Sequence, residues 1–327
     1  MSWVGKSVLV TGAGGFIGSH LVERLVSMGA TTKAFVHYRS EGSWGWLDRS
    51  QYKGDIEVIA GDVRDLDSVS SAIANTDIIF HLAALIAIPY SYRSPASFVQ
   101  TNVEGTLNVL QACRMANVHR LVHTSTSEVY GTARQVPIDE SHPLQAQSPY
   151  AASKIAADKL VESFHLSFGL PVITVRPFNT FGPRQSSRAV IPTIITQALT
   201  GDMIRLGNLH PTRDLNYVEN IVDGFVRAAL CHDGVGRTMN LGSGIEVSVG
   251  DLAKLISTLV DTKGVIKVEE QRVRPQGSEV DRLLADNTEA KARLGWKPSI
   301  SLEQGLRLTV EWMREHLHAY RPDAYVL

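Results

Sequence analysis

A tyrosine and a lysine are spaced in this chain so that they could share one proton-transfer step. Tyr150 and Lys154 lie four positions apart near the start of a segment with helical periodicity. Side chains at that spacing face the same side of a helix. A lysine ammonium beside a phenol favours the phenolate, so we expect the tyrosine to act as a base near neutral pH. The lysine could also hold the ribose hydroxyls of a nicotinamide nucleotide.

Three glycines near the start of the chain have the spacing of a phosphate-binding turn. The pattern GxxGxxG, residues 12–18, stands between an apolar run and a helical pattern. Such glycines permit a tight turn and close approach of the backbone to a pyrophosphate, and the next helix offers free N–H groups. The residues predicted to hold a dinucleotide here are Gly12, Gly15, Phe16, Ile17 and Gly18.

Two later strand ends are expected beside the same dinucleotide. Asp62 and Val63 follow the third apolar run, where an aspartate can accept a hydrogen bond from the adenine amino group. Leu82, Ala83 and Ala84 end the fourth run, beside the expected nicotinamide ribose.

The end of the second apolar run leaves the choice between NAD and NADP open. An NAD site normally carries an acidic residue there to bind the ribose 2′-hydroxyl, but residues 37–40 include none. Arg39 could pair with a 2′-phosphate in bidentate geometry. It could equally be a solvated loop arginine or stack on adenine.

The elements that must position these residues alternate between short apolar runs and helical patterns. Strands are predicted at Ser7–Thr11, Lys33–His37, Ile56–Ala60, Asp77–Leu82, Arg120–Thr124 and Val172–Arg176, and helices at Ser19–Met28, Val103–Ala116 and Pro149–Phe168. This alternation predicts an α/β fold with a doubly wound parallel Rossmann sheet.

After Arg176 prolines and glycines interrupt the rhythm, which indicates a second unit. We expect residues 1–176 plus about 215–244 to form the dinucleotide-binding domain. A smaller mixed α/β substrate domain should comprise about 177–214 plus 245–327.

Composition narrows the class of function. The 327 residues include 44% hydrophobic and 20% charged residues, with a formal net charge of -1, which suits a globular chain. Without a basic stripe we expect no nucleic-acid partner, and without a long apolar run or leader segment we expect no membrane partner and a cytoplasmic location. Cys113 and Cys231 lack metal-ligand spacing and are expected to be buried thiols, so no metal site is predicted.

Together, these motifs resemble the extended short-chain dehydrogenase/reductase family over essentially the whole chain. The resemblance is carried by the glycine pattern, His81–Ala84, Asn102–Thr106, Ser125–Gly131 and the Tyr150–Lys154 pair. It implies that Thr126, Tyr150 and Lys154 are the catalytic Ser/Thr-Tyr-Lys set.

Two further segments look like the sugar-nucleotide elements of that family, namely residues 176–179 and 213–218. This likeness implies that Asn179, Arg213 and Arg274 contact the diphosphate of a nucleotide sugar. Arg184 is expected to bind the substrate as well. On a nearly neutral protein, single arginines are plausible diphosphate ligands.

Glu128 indicates which reaction to expect. If residues 126–128 form a strand, Thr126 and Glu128 point to the same side. A carboxylate there can take a proton from carbon, which simple 4-epimerisation does not need. The Thr-Ser-Glu string is similar to that of GDP-mannose 4,6-dehydratases, whereas dTDP-glucose enzymes usually have Asp where Ser127 stands. Glu128 or a water could therefore protonate the leaving C6 hydroxyl.

A 4,6-dehydratase that makes a 4-keto-6-deoxy sugar is the predicted function, with 4-epimerase and nucleotide-glucuronate decarboxylase as alternatives. Decarboxylases share the string at 126–131, but residues 84–92 here lack an obvious carboxylate-binding group. A non-catalytic NAD(P) sensor would need neither Glu128 nor the Tyr150–Lys154 pair.

Three stretches look most like the dehydratases of legionaminic-acid pathways, which act on nucleotide-linked N-acetylglucosamine. They are Ser43–Asp48, Leu82–Tyr90 and Arg176–Gln185. This likeness implies UDP- or GDP-N-acetylglucosamine as substrate. Family members usually pair two helices into a homodimer, here the ones that carry Gly105–Ala116 and Tyr150–Phe168.

Overall fold

The computed structural model describes residues 2–262 and 264–320. Its strands are β1 Ser7–Thr11, β2 Thr31–His37, β3 Ile56–Gly61, β4 Ile78–His81, β5 Arg120–Thr124, β6 Val172–Pro177, β7 Asn179–Phe181, β8 Met203–Leu206, β9 Thr212–Tyr217, β10 Thr238–Leu241, β11 Glu246–Ser248, β12 Val265–Val268 and β13 Arg282–Leu283. Its helices are α1 Phe16–Ser27, α2 Leu66–Ile73, α3 Ile88–Arg93, α4 Pro95–Phe98, α5 Gly105–Ala116, α6 Pro149–Phe168, α7 Val190–Thr200, α8 Val218–Leu230, α9 Val249–Val260, α10 Thr288–Leu294 and α11 Leu302–Glu315.

Seven parallel strands form the main sheet, in the order β10-β6-β5-β4-β1-β2-β3. Alternate residues of β1 enter different cores: Val8 and Val10 pack in one cluster and Leu9 in another. Helices α1 and α8 contact each other, as α5 contacts α2 and α6. The α/β Rossmann prediction is confirmed. The strand order reverses between β1 and β4, and such a point is where doubly wound sheets bind ligands.

Local signals explain the bounds of the helix that carries the Tyr-Lys pair. The Ser148 hydroxyl caps the start of α6 by accepting from the Ala151 N–H at 3.1 Å, and Pro149 occupies the first turn. Gly169, at φ +68°, ends the helix in the left-handed conformation. The observed helix therefore has the predicted bounds.

Elsewhere the predicted bounds moved by a few residues. Helix α1 begins at Phe16, three residues before the expected Ser19, directly after the glycine turn. The α-helix predicted to begin at Val103 begins at Gly105, as α5. The residues before it, Val99–Glu104, form a π-helical segment.

A small sheet lies beyond the main one, with β9 paired to β7, β11 and β13, while β8 pairs with β12. The predicted domain boundary at about residue 215 falls inside β9, which belongs to the small sheet. Helix α10, expected in the second domain, packs on α8 and β10. The end of that domain, 321–327, lies outside the described residues. The two-domain division stays a prediction.

Within the described ranges, every helix is too short or too polar to span a lipid bilayer. In the same residues, no group of three or more His, Cys, Asp and Glu side chains is placed to hold a metal ion.

Candidate active site

A cavity of about 1010 Å³ opens where the main-sheet strands end, between the two sheets. The residues predicted from sequence that line it are Gly12, Gly15, Phe16, Ile17, Gly18, Arg39, Leu82, Ala83, Ala84, Thr126, Glu128, Tyr150, Lys154, Asn179, Arg213 and Arg274. Asp62, Val63 and Arg184 are not part of its wall. The cavity thus combines the expected cofactor turn with the Tyr-Lys pair.

The glycine turn leaves no room for side chains. Gly12 has φ +68°, and a Cβ there would lie 2.8 Å from the Ala83 nitrogen; a Cβ on Gly18 would lie 2.3 Å from the Gly12 oxygen. Helix α1 follows with no side-chain cap at Gly15 and no acidic residue in its first turn. Its first N–H groups and its positive dipole end are therefore available to phosphates. These features fit a dinucleotide pyrophosphate.

A buried histidine that the sequence reasoning missed fixes the neighbouring strand end. The Thr11 hydroxyl accepts from the N–H groups of Leu82 and Ala83, both at 3.1 Å, and lies 2.9 Å from His81 Nδ1. His81 Nε2 lies 3.1 Å from the Thr106 hydroxyl, which donates its own proton to the Asn102 carbonyl. This pattern assigns a neutral His81 with its proton on Nε2. Burial lowers the pKa of His81 well below its usual value. The sequence feature that could have indicated this role is a histidine at the end of an apolar strand.

Tyr150 is buried beneath the cavity surface. Its ring meets Phe98 edge-on, with centroids 6.2 Å apart. Burial raises the pKa of Tyr150 above its usual value, a hydrogen bond with Thr126 lowers it, and the charge of Glu128 raises it. The net pKa of Tyr150 is raised because loss of hydration outweighs the contact with Thr126, and its role as the base stays a prediction.

Lys154 is fixed below the tyrosine. Its Nζ donates to the Thr124 carbonyl at 2.6 Å. Burial lowers the pKa of Lys154 to about 8, and the charge of Asp158 opposes that shift. The ammonium form therefore still predominates at neutral pH.

Residues 126–128 do not form the strand that was expected. Ser127–Tyr130 is a 3₁₀ turn, and the Thr126 hydroxyl accepts from the Glu128 N–H at 3.3 Å. A threonine that caps its own downstream amide turns the chain away from an extended path. Glu128 nevertheless lines the cavity, and its charge acts on both Tyr150 and Arg213.

Polar atoms on the far wall lack hydrogen-bond partners in the protein. The Oδ1 of Asn179 and the Nη1 of Arg274 are buried without a hydrogen bond, and that nitrogen lies 3.9 Å from Glu279 Oε1. Arg213 is buried and donates to the Thr212 carbonyl at 2.9 Å, and its Nη2 lies 3.7 Å from Glu279 Oε1. Burial lowers the pKa of Arg213, which the charge of Glu128 opposes. Unpaired buried polar groups are costly, so this wall suits a polar, anionic ligand.

Arg184 makes a structural ion pair in place of the predicted substrate contact. It has φ +70°, and its guanidinium donates to Ser19 Oγ and Glu23 Oε1, both at 3.1 Å. Glu23 lies on α1, so the pair fastens the segment after β7 to the helix of the glycine turn.

Asp62 also has protein partners in place of a ligand. Its carboxylate accepts from Arg64 and lies 3.9 Å from His37 Nδ1, while Val63 is buried. Arg64, two residues along the chain, donates hydrogen bonds to the carboxylate that is expected to face adenine.

Proteins similar to this chain are named for reactions on nucleotide sugars. The family model for GDP-mannose 4,6 dehydratase matches residues 9–309. A UDP-glucose 4-epimerase of Mycolicibacterium smegmatis is 35% identical, with 94% of this chain and 98% of the relative aligned. A UDP-N-acetyl-alpha-D-glucosaminuronate decarboxylase of Bacillus cytotoxicus is 32% identical over 95% of this chain and 98% of the relative.

A solved structure extends the comparison to the fold. The dTDP-glucose 4,6-dehydratase DesIV of Streptomyces venezuelae, with NAD bound, has a TM-score of 0.89 and 29% identity, and the alignment covers 96% of this chain and 99% of that one. With its seven-stranded Rossmann sheet and its Tyr-Lys cavity, this chain belongs to the GDP-mannose 4,6 dehydratase family of extended short-chain dehydrogenases/reductases.

Proposed function

We propose that this chain is an NAD(P)-dependent nucleotide-sugar 4,6-dehydratase that produces a 4-keto-6-deoxy sugar. The observation that carries the proposal is the position of Glu128. It lines the same cavity as Thr126 and Tyr150, close enough for its charge to influence the pKa of Tyr150. A carboxylate in this place is suited to remove a proton from carbon, and a 4-epimerase has no such step.

Each half of the cavity has a distinct task in this proposal. The glycine turn, Leu82–Ala84 and Lys154 would hold a nicotinamide dinucleotide. Asn179, Arg213 and Arg274 would hold the diphosphate of the sugar nucleotide, which would satisfy their unpaired or desolvated polar groups. A nicotinamide held there would supply the chemistry of hydride transfer from C4 and back to C6.

The protein groups move the protons. Tyr150 takes the proton of the C4 hydroxyl, held in place by its hydrogen bond with Thr126. The C4 ketone acidifies the C5 proton, which Glu128 removes, and the C6 hydroxyl leaves with a proton from Glu128 or from a water. Arg213 lines the same cavity, and its charge interacts with that of Glu128.

The substrate we propose is UDP- or GDP-N-acetylglucosamine. The support is the likeness of Ser43–Asp48, Leu82–Tyr90 and Arg176–Gln185 to dehydratases that use nucleotide-linked N-acetylglucosamine. Residues from all three segments line the cavity. Mass spectrometry of the products from both nucleotide sugars tests this: a product lighter by one water is expected from one of them.

Glu128→Gln tests the reaction class. The variant keeps the size of the side chain and loses the base, so C4 oxidation should proceed while elimination slows by about 10²–10⁴-fold. Reduced nicotinamide should accumulate, visible by its absorbance, and exchange of the C5 proton in deuterated water should be suppressed.

The comparison variant is Tyr150→Phe, which should block the first step and leave no reduced nicotinamide. Dehydration by Glu128→Gln at the wild-type rate would refute the proposal. A C4-epimeric product would identify an epimerase, and carbon dioxide from a nucleotide glucuronate would identify a decarboxylase.

A further inference from the structure

A third ionisable residue continues the line of Tyr150 and Lys154 along α6. Asp158 lies one turn beyond Lys154, so the three side chains share one face of the helix. It is 6% exposed and is not part of the cavity wall. Its carboxylate therefore lies behind the reacting residues and does not touch a ligand.

Three donors from the neighbouring strands hold this carboxylate. Asp158 Oδ2 accepts from Ser125 Oγ at 2.7 Å and from Arg176 Nη2 at 2.9 Å, and Oδ1 lies 3.2 Å from His123 Nε2. Ser125 directly precedes Thr126, whose hydroxyl contacts Tyr150. One carboxylate thus ties helix α6 to the ends of β5 and β6.

Asp158 is the carboxylate whose negative charge acts on Lys154. The other ionisable groups whose charge interacts with that of the lysine are His81 on β4 and His123 on β5. Burial lowers the pKa of both histidines, which favours their neutral form. Asp158 is the charge that raises the pKa of Lys154 against burial.

We propose that Asp158 is a positioning residue of the active site: its carboxylate, fixed by Ser125, His123 and Arg176 one helical turn from Lys154, holds that lysine in its ammonium form. The proposal rests on the Tyr150–Lys154 chemistry of the proposed function and not on the elimination step. It therefore concerns C4 oxidation alone.

The test is the pH dependence of C4 oxidation in Asp158→Asn holoenzyme. Lys154 must be protonated to assist Tyr150, so the wild-type rate should fall as pH rises above about 8. Without the neighbouring anion the pKa of Lys154 falls. The pH above which the rate of C4 oxidation declines should therefore be lower than in the wild type by about one unit or more. The KM for the nucleotide sugar should change by less than about twofold, because Asp158 does not line the cavity.

The readout is single-turnover reduction of bound nicotinamide by the nucleotide sugar, measured across pH. Asp158→Glu retains the charge and should restore the wild-type profile. Glu162→Gln, an exposed acidic residue one turn further along α6, is the matched control and should change nothing. If the protein is not a dehydratase, no water is lost from the product, yet the C4 oxidation profile can still be read.

Removal of Asp158 alone leaves Arg176 as an unpaired buried cation, so this variant could fail to fold. The double variant Asp158→Asn/Arg176→Met removes both charges. Its rate of C4 oxidation should still decline at lower pH than the wild-type rate. A wild-type pH profile in either folded variant would overturn the proposal. Loss of folding in both would overturn it as well, because the carboxylate would then serve the fold.

Discussion

Some polar side chains in the cavity are hydrogen-bonded by the protein, and others carry buried atoms that are not. Tyr150 and Lys154 are held by Thr126 and by the Thr124 carbonyl, so their geometry is set by the protein. Asn179 and Arg274 carry buried atoms without hydrogen-bond partners. An unpaired buried polar group costs about 1–3 kcal/mol, and a bound diphosphate would remove that cost.

Arg39→Ala tests the choice between NAD and NADP. Arg39 is exposed and lines the cavity at the end of β2, where no acidic residue stands. If it pairs with a 2′-phosphate, loss of a charged hydrogen bond should weaken NADP binding by about 1.5–3 kcal/mol and NAD binding little. Calorimetric titration with both nucleotides measures this.

Arg49→Ala, an exposed arginine just beyond the same loop that does not line the cavity, is its control. Equal losses of NAD and NADP affinity in Arg39→Ala would mean that Arg39 does not read the 2′-phosphate.

Residues whose role depends on local spacing could be predicted from the sequence, and residues whose role depends on distant partners could not. Tyr150 and Lys154 share one helix, so periodicity identified them. Asp158 has its partners 18 to 35 residues away, and Arg184 pairs with Glu23 across 161 residues. No local pattern indicates such pairings.

Among the elements, the turn between β1 and α1 leaves no space for a side chain at Gly18. A Cβ at Gly18 would lie 2.3 Å from the Gly12 oxygen, and neither backbone can move without displacing the start of α1. Gly18→Ala should therefore destabilise the protein by about 1–3 kcal/mol and weaken dinucleotide binding.

Denaturant unfolding and nucleotide titration measure the two effects of Gly18→Ala. Gly54→Ala is the matched control, since a Cβ there meets nothing within 4 Å. Dinucleotide affinity at the wild-type level in Gly18→Ala would show that the turn does not hold the pyrophosphate.

Six of the seven main-sheet strands were predictable from their short apolar runs, and their observed ends lie within two residues of the predicted ones; the seventh, β10, was not predicted as a strand. The small sheet was not predictable, because β7, β11 and β13 have two or three residues each. At that length, periodicity carries no signal, and the strands exist only through pairing with β9.

At the scale of the whole molecule, α5 and α6 lie side by side with large apolar side chains in solvent. Met115 is 72% exposed and Leu166 75% exposed. Exposed apolar groups on adjacent helices suit a second copy of the chain, as the expected homodimer requires. Leu166→Glu should therefore convert the dimer to a monomer, because a carboxylate is costly to bury in an interface.

Light scattering coupled to size-exclusion chromatography gives the mass. Val265→Glu, at an apolar residue with 66% exposure on β12, should leave the mass unchanged. A dimer that survives Leu166→Glu, or a monomeric wild type, would reject this pairing of helices.

The two walls of the cavity come from different sheets, which bears on how related enzymes could have diverged. Tyr150, Lys154 and the glycine turn belong to the long parallel sheet and its helices, whereas Arg213 and Arg274 stand on the small sheet and the loops beside it. Under the proposed function, mutations in the second wall would change which sugar nucleotide is accepted and leave the dinucleotide-binding wall intact. The relatives are named for epimerisation, decarboxylation and dehydration. Such variety is expected if the two walls can change independently.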